Sequence, residues 1–169
     1  MKRRPLWVYT LLALGLAFAF LRACSPGDEH AIRGQLKHLA RHCEKKPNQT
    51  IIRSALDAND VRAYFTTNAT IHLGRAVPTS LRRADIPSLV ARVHSAVESL
   101  SIAIQGIDFE PRSARDVREL RTAIEFMAKT GESTESYLDE YRIRFRKIDG
   151  SWLIESVNAD SSIERPINF

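Results

Sequence analysis

The stretch TESYLDEYRIRFRKIDGSWLIESVNA, residues 134–159, decides the fold. Side chains alternate sides along a strand. Ahead of Asp149-Gly150, one row reads Tyr137, Asp139, Tyr141, Ile143 and Phe145. The other reads Leu138, Glu140, Arg142, Arg144 and Arg146. A mostly apolar row beside a charged one, at period two, marks a half-buried strand. Asp-Gly is a two-residue hairpin signal because both central positions take positive φ. Residues 151–159 therefore return as the next strand, and the row of tyrosines and phenylalanine faces the core.

Residues 117–129 alternate in the same way, and Gly131-Glu132 joins them to the strand at 134–148. Two-residue loops at both turns set a register: Ile143 opposite Leu120, Tyr141 opposite Thr122, Tyr137 opposite Phe126, and Phe145 opposite Ile154. Apolar residues meet apolar ones, which is what specifies register when one face is buried. The same register places Arg144 between Glu119 and Glu155. Arg142, Arg144 and Arg146, with Arg121 nearby, read either as an anion-binding patch or as a solvated face of cross-strand ion pairs; the flanking glutamates favour the second. Leu153, Val157 and Ala123 are expected among these charges, where a homodimer could form through the outer sheet face.

Further upstream the chain turns at Pro111-Arg112-Ser113 from another apolar, β-branched run at 100–110. The first half is mostly helical. Ile32, Leu36, Leu39, Ala40 and Cys43 recur at three- and four-residue steps over residues 29–46, and Lys45-Lys46-Pro47-Asn48 ends that helix. Thr50 caps a second, short helix carrying Ile51, Ile52, Ala55 and Leu56, broken at Asn59-Asp60. One turn at 61–65 leads into a strand at 66–73, then a loop or small hairpin at 74–83. Asp85 caps a third helix with Ile86, Leu89, Val90, Val93 and Val97 on one face. His94 flanks that stripe and is expected at the surface or an interface. The class is α+β, with the apolar row of the sheet facing the helices.

The N-terminus has a different composition. Lys2-Arg3-Arg4 precede an uncharged, Leu- and Ala-rich run from Pro5 to Leu21, closed by Arg22. Charge inside hydrocarbon is costly, so the basic residues bound a signal or anchor segment, residues 1–23. Basic residues at the front stay cytoplasmic and send the rest across, to a bacterial periplasm or cell envelope. Leu21-Arg22-Ala23-Cys24 resembles a lipobox, with Arg22 out of pattern; Cys24 is then lipidated. The alternative is an uncleaved membrane anchor helix. Residues 24–28 are a linker, 29–159 the domain, and 160–169 a loose polar tail.

The net charge is +5. Lys2, Arg3, Arg4 and Arg22 account for four of those charges, and residues 1–23 hold no acid. The domain is close to neutral, so it lacks the basic excess that nucleic-acid binding needs. Two cysteines make no disulfide framework.

An amphipathic helix, short helices, one strand, another helix and four long strands resemble the nuclear transport factor 2-like superfamily, also called SnoaL-like or cystatin-like. The resemblance is carried by Tyr64-Phe65-Thr66-Thr67-Asn68-Ala69-Thr70-Ile71 and by the closing hairpin from Arg144 to Ile154. It implies a curved mixed or antiparallel sheet wrapped around the long N-terminal helix, forming a cone with one open end that often holds a small apolar or amphipathic molecule. Members include isomerases, dehydratases, polyketide cyclases and domains without known activity. Its enzymes place Asp or Glu, His and Tyr inside the cone, but no catalytic motif of a member matches residue by residue. The weak catalytic candidates here are Asp139, Tyr141 and His72, and with Tyr64 and Tyr137 they form the candidate ligand pocket. His38 and His42 have helical i, i+4 spacing that a metal can use, but no third ligand follows at a recognisable spacing. Neither metal nor cofactor is expected.

Two readings follow. The favoured one is a membrane-tethered, non-enzymatic module that binds a small apolar ligand or a protein. The alternative is a small-molecule enzyme of the SnoaL, isomerase or dehydratase type, with Asp139 as general base and Tyr141 or His72 as donor.

Overall fold

The computed structural model describes residues 27–74 and 80–160. The expected anchor, Cys24 and residues 161–169 lie outside them. The chain divides into two compact units, Met1–Ala31 and Ile32–Phe169. Of the first unit, residues 27–31 are described and carry the opening turn of helix α1. Among the described residues, no helix is long and apolar enough to cross a membrane.

Helix α1, Asp28–Cys43, opens on Asp28 and Glu29 and has Arg41 in its last turn, each charge matched to the helix dipole. Ile32 and Leu36 are its buried residues. Helix α2, Ile51–Val61, is capped as expected: the Thr50 hydroxyl accepts the Arg53 N–H at 3.3 Å. Asn59-Asp60 does not break it. Both face solvent while Ala58 and Val61 are buried, and burial outweighs their poor helix propensity. A 3-10 turn, Arg62–Tyr64, leads into strand β1, Phe65–His72. Helix α3, Ile86–Ala96, also departs from the expectation at its start. The Asp85 carboxylate accepts the Arg82 N–H at 2.9 Å, holding the 3-10 turn Arg83–Asp85 and not the helix. Pro87 opens the helix instead.

The sheet holds six strands in the order β2-β1-β6-β5-β4-β3. They are β1, β2 (Leu81–Arg82), β3 (Ser99–Phe109), β4 (Val117–Thr130), β5 (Ser133–Ile148) and β6 (Ser151–Asp160). β1 runs parallel to β6 and every other pair is antiparallel, so the sheet is mixed, open and curled. The register follows the hairpins. Leu120 pairs with Ile143, Thr122 with Tyr141, Phe126 with Tyr137, and Phe145 with Ile154. Asp149 and Gly150 have φ of 49° and 83°, as the tight turn requires.

Two irregularities change which residues face inward. Gly106, at φ 63°, sits in a bulge of β3, so Ile102 and Ile104 share a face with Ile107 and Phe109. Glu155 is the extra residue of a bulge in β6, where Arg144 pairs with Ser156 and Phe145 with Ile154. The bulge brings Val157 opposite Ile143 and Ile71 and buries it. Strict alternation had put Val157 on the outer face beside Leu153; the bulge removes it from that surface.

The core joins α1 to the concave side of the sheet through Ile32, Leu36, Phe65, Leu120, Ile143, Phe145 and Ile154. Phe145 is fully buried. Beside this core the C-terminal ends of α1 and α3 meet. His94 is 2 % exposed, and its Nε2 lies 2.9 Å from the Cys43 carbonyl. Lys45 returns the contact, donating to the carbonyls of His94 (2.5 Å) and Val97 (2.6 Å). His94 is therefore an internal residue of the domain, where a surface or interface position was expected. A helix end must satisfy its last carbonyls, and here each helix borrows a donor beside the other. The Lys45 backbone also bridges Leu100 on the edge strand in both directions, at 2.9 Å.

Candidate functional site

The inner sheet face beyond the buried core is lined by Ile104, Ile107, Ile124 and Phe126, all partly buried. Two sequence-derived candidates stand there together. Asp139 lies opposite Ile124 and is half-buried. Tyr141, two residues on and so on the same row, is buried. Its hydroxyl donates to Asp139 Oδ2 across a long 3.5 Å, and its ring meets Phe126 edge-on at 6.4 Å. Burial, then the Asp139 charge, then that hydrogen bond push the Tyr141 phenol well above its ordinary range. Opposite it, the buried Thr122 hydroxyl is occupied by the Gly106 carbonyl at 2.6 Å.

The other candidates separate from this pair. Tyr137 shares the row but is 56 % exposed, and its hydroxyl donates to Glu135. That hydrogen bond, followed by the Glu135 charge, raises its phenol pKa. His72 is on the opposite face. It pairs with Asn158, which pairs with Arg142 of the outer row, and its ring nitrogens meet the Ser80 hydroxyl at 3.1 and 3.3 Å. Strand alternation alone accounts for this: Ile71 is buried inward, so His72 must point out. His72 cannot act with Asp139 or Tyr141 in this geometry. Tyr64 is half-buried against His42, ring centroids 5.8 Å apart. Burial first, then the charges of Asp60 and Cys43, raise its hydroxyl.

Tyr64 borders a polar cluster that no sequence motif had joined. Asp57, on α2, is 6 % exposed. Its Oδ2 accepts Gln49 Nε2 at 2.9 Å and Arg53 Nε at 3.2 Å. Its Oδ1 has Arg53 Nη2 at 2.9 Å and His42 Nδ1 at 3.8 Å, yet makes no hydrogen bond of good geometry among the described residues. His42 comes from the last turn of α1. The signal that could have found the cluster is the i, i+3 spacing of Asp57 and Asp60, which places both on one side of α2. Nearby Cys43 is a poor nucleophile, because burial, aided by Glu44, pushes its thiol up to about 12.

The arginines of the outer face are paired. Arg144 reaches Glu119 at 2.9 Å and Glu155 at 2.8 Å, and Arg146 reaches Glu155 at 2.6 Å and Asp116 at 3.4 Å. Arg121 meets Glu110 at 2.8 Å, and Arg142 lies 3.9 Å from Asp160. Hydrogen bonding from Arg146 leads the effects on Glu155, whose carboxyl is held below its ordinary range. The outer row is thus an ion-pair lattice, in which an added anion would displace existing partners.

No protein-family model and no curated protein matches the chain. Solved structures do. One is a nuclear transport factor 2-like protein with a cystatin-like fold from Novosphingobium aromaticivorans, 15% identical with a TM-score of 0.62, covering 90% of this chain and 92% of its own. A protein from the same organism provisionally named a scytalone dehydratase gives a TM-score of 0.65 at 10% identity, covering 80% of this chain and 85% of its own. Another, provisionally named an aromatic ring hydroxylase, gives 0.66 at 15% identity, covering 83% and 92%. At these identities the likeness concerns the fold.

Proposed function

We propose that this chain, which has the nuclear transport factor 2-like fold, is a binding module for a small apolar ligand, tethered by its N-terminus outside the cytoplasm. The observation that carries the reading is the composition of the inner wall. Ile104, Ile107, Ile124 and Phe126 supply apolar surface, and the polar pair among them is already partnered. Catalysis in such a wall needs a base and a donor free to meet developing charge. Tyr141 is buried with its hydroxyl turned to Asp139, and His72 faces away. An apolar wall with one oriented polar pair suits retention and alignment of a ligand instead. The tether rests on the basic-then-apolar segment at residues 1–23.

Native mass spectrometry of the purified full chain tests the binding reading. A co-purified apolar molecule is expected, lost in Phe126→Asp; a wild-type chain that releases no molecule and takes up no apolar probe sinks it. The N-terminal mass separates a lipidated Cys24 from an intact anchor.

The enzyme reading keeps one specific support, the Asp139–Tyr141 contact in a half-buried position. There Asp139 would take a proton and Tyr141 would turn its hydroxyl to the substrate. Conversion of a bound molecule by the wild type, abolished in Asp139→Asn with binding retained, would establish it over the non-enzymatic one.

A further inference from the structure

We propose that His42, Asp57 and Asp60 form a binding site for one divalent transition-metal ion between α1 and α2. The ligand atoms of the three residues all lie within 4.8 Å of one another. An imidazole with two carboxylates is a nitrogen–oxygen donor set suited to zinc, cobalt or manganese. Ligands about 2.0–2.2 Å from a shared ion stand roughly 3–3.5 Å apart, so the cluster needs to close by about an ångström. The residues have room to do so: Asp60 is exposed and His42 half-exposed.

A second observation separates this cluster from an ordinary acidic surface. Asp57 is buried, and its Oδ1 faces His42 Nδ1 at 3.8 Å without a hydrogen bond of good geometry among the described residues. A buried carboxylate is costly to leave without a countercharge. The present compensation is the Arg53 guanidinium, whose Nη2 lies 2.9 Å away. Arg53 is largely exposed and can swing into solvent. Gln49 Nε2 holds the other oxygen, Oδ2, at 2.9 Å and so keeps Oδ1 turned towards His42 when Arg53 leaves. An ion in the gap would take Oδ1, His42 Nδ1 and an Asp60 oxygen, and would replace the Arg53 Nη2 contact. With three protein ligands and Asp60 at the surface, further positions would be open to water.

Arg53 supplies the decisive test because it competes with the ion. The full chain is titrated with cobalt(II) alone, read by visible absorption and by calorimetry. One ion per chain is expected. Asp60→Asn should weaken binding by about tenfold or more, since losing even an outer-shell partner costs about 10–100-fold. Arg53→Gln should tighten it, and His38→Ala should leave it unchanged. Because Asp60 is exposed, its variant folds even where an Asp57 variant does not. Binding that survives Asp60→Asn, or an Arg53→Gln chain that takes up no cobalt at about 1 mM (roughly 4 kcal/mol of affinity), overturns the proposal.

Discussion

Replacing Lys45 by Met isolates the junction between α1 and α3. Methionine keeps the length of the apolar stem and removes the ammonium, so packing is largely retained. The wild-type ammonium donates at 2.5 Å to the His94 carbonyl and at 2.6 Å to the Val97 carbonyl. Both are at the end of α3, where no later helical N–H can serve them. Hydrogen bonds to a charged group contribute about 1.5–3 kcal/mol each. The two share one donor group in a half-buried place, so their joint loss is taken at about 2 kcal/mol. For a chain this size, a urea m-value near 2 kcal/mol/M turns that into a midpoint shift of about 1 M at unchanged slope. Equilibrium urea unfolding at neutral pH, followed by far-ultraviolet circular dichroism, reads the shift. A midpoint moved by less than about 0.2 M would show that water serves those carbonyls equally well, and the reciprocal capping would lose its energetic meaning.

Glu155→Gln should cost roughly 1 kcal/mol above pH 5, discounted because its arginine partners are partly solvent-exposed. Glu155 has a lowered folded pKa, so its contribution is present above the unfolded value and fades as pH falls through the folded one; urea midpoints of the two chains should therefore converge in acid. Tyr141 behaves in the opposite sense. Its phenol is raised on folding, so the native state loses stability as pH climbs past the unfolded value near 10, and Tyr141→Phe should flatten that alkaline slope in thermal melts. With Cys24 replaced by Ser, Cys43 should react with a thiol reagent at pH 8 about a thousandfold slower than a free cysteine, and at normal speed in urea, because its folded pKa is near 12. Equal rates in the two solvents would contradict its burial.

The hairpins were legible because their turns have two residues each. Once Gly131-Glu132 and Asp149-Gly150 are placed, counting back along the strands gives Leu120–Ile143 and Phe145–Ile154 without further information. The bulges were not legible from counting. Gly106 carries a signal, an isolated glycine inside a strand run, whereas Glu155 carries none, and Val157 was misplaced for that reason. Tyr141 and Asp139 were found as neighbours because i, i+2 residues share a face. His42 and Asp57 could not be found that way, since their meeting depends on how two helices pack. His94 was misplaced because a polar residue beside an apolar stripe suggests solvent, while here the carbonyl end of another helix takes the place of water.

The bulge at Glu155 also makes β6 a strand with two phases. Before it, even-numbered residues face the interior; after it, odd-numbered ones do. Losing Glu155 itself would only straighten the strand, with Ile154 still opposite Phe145, Ser156 opposite Arg144 and Val157 inward; the loss would fall on the outer face, where Arg144 and Arg146 share its carboxylate. A strand that kept this residue but paired without the bulge would instead turn Val157 outward and Asn158 inward, so the extra residue and the kink that absorbs it have to come and go together.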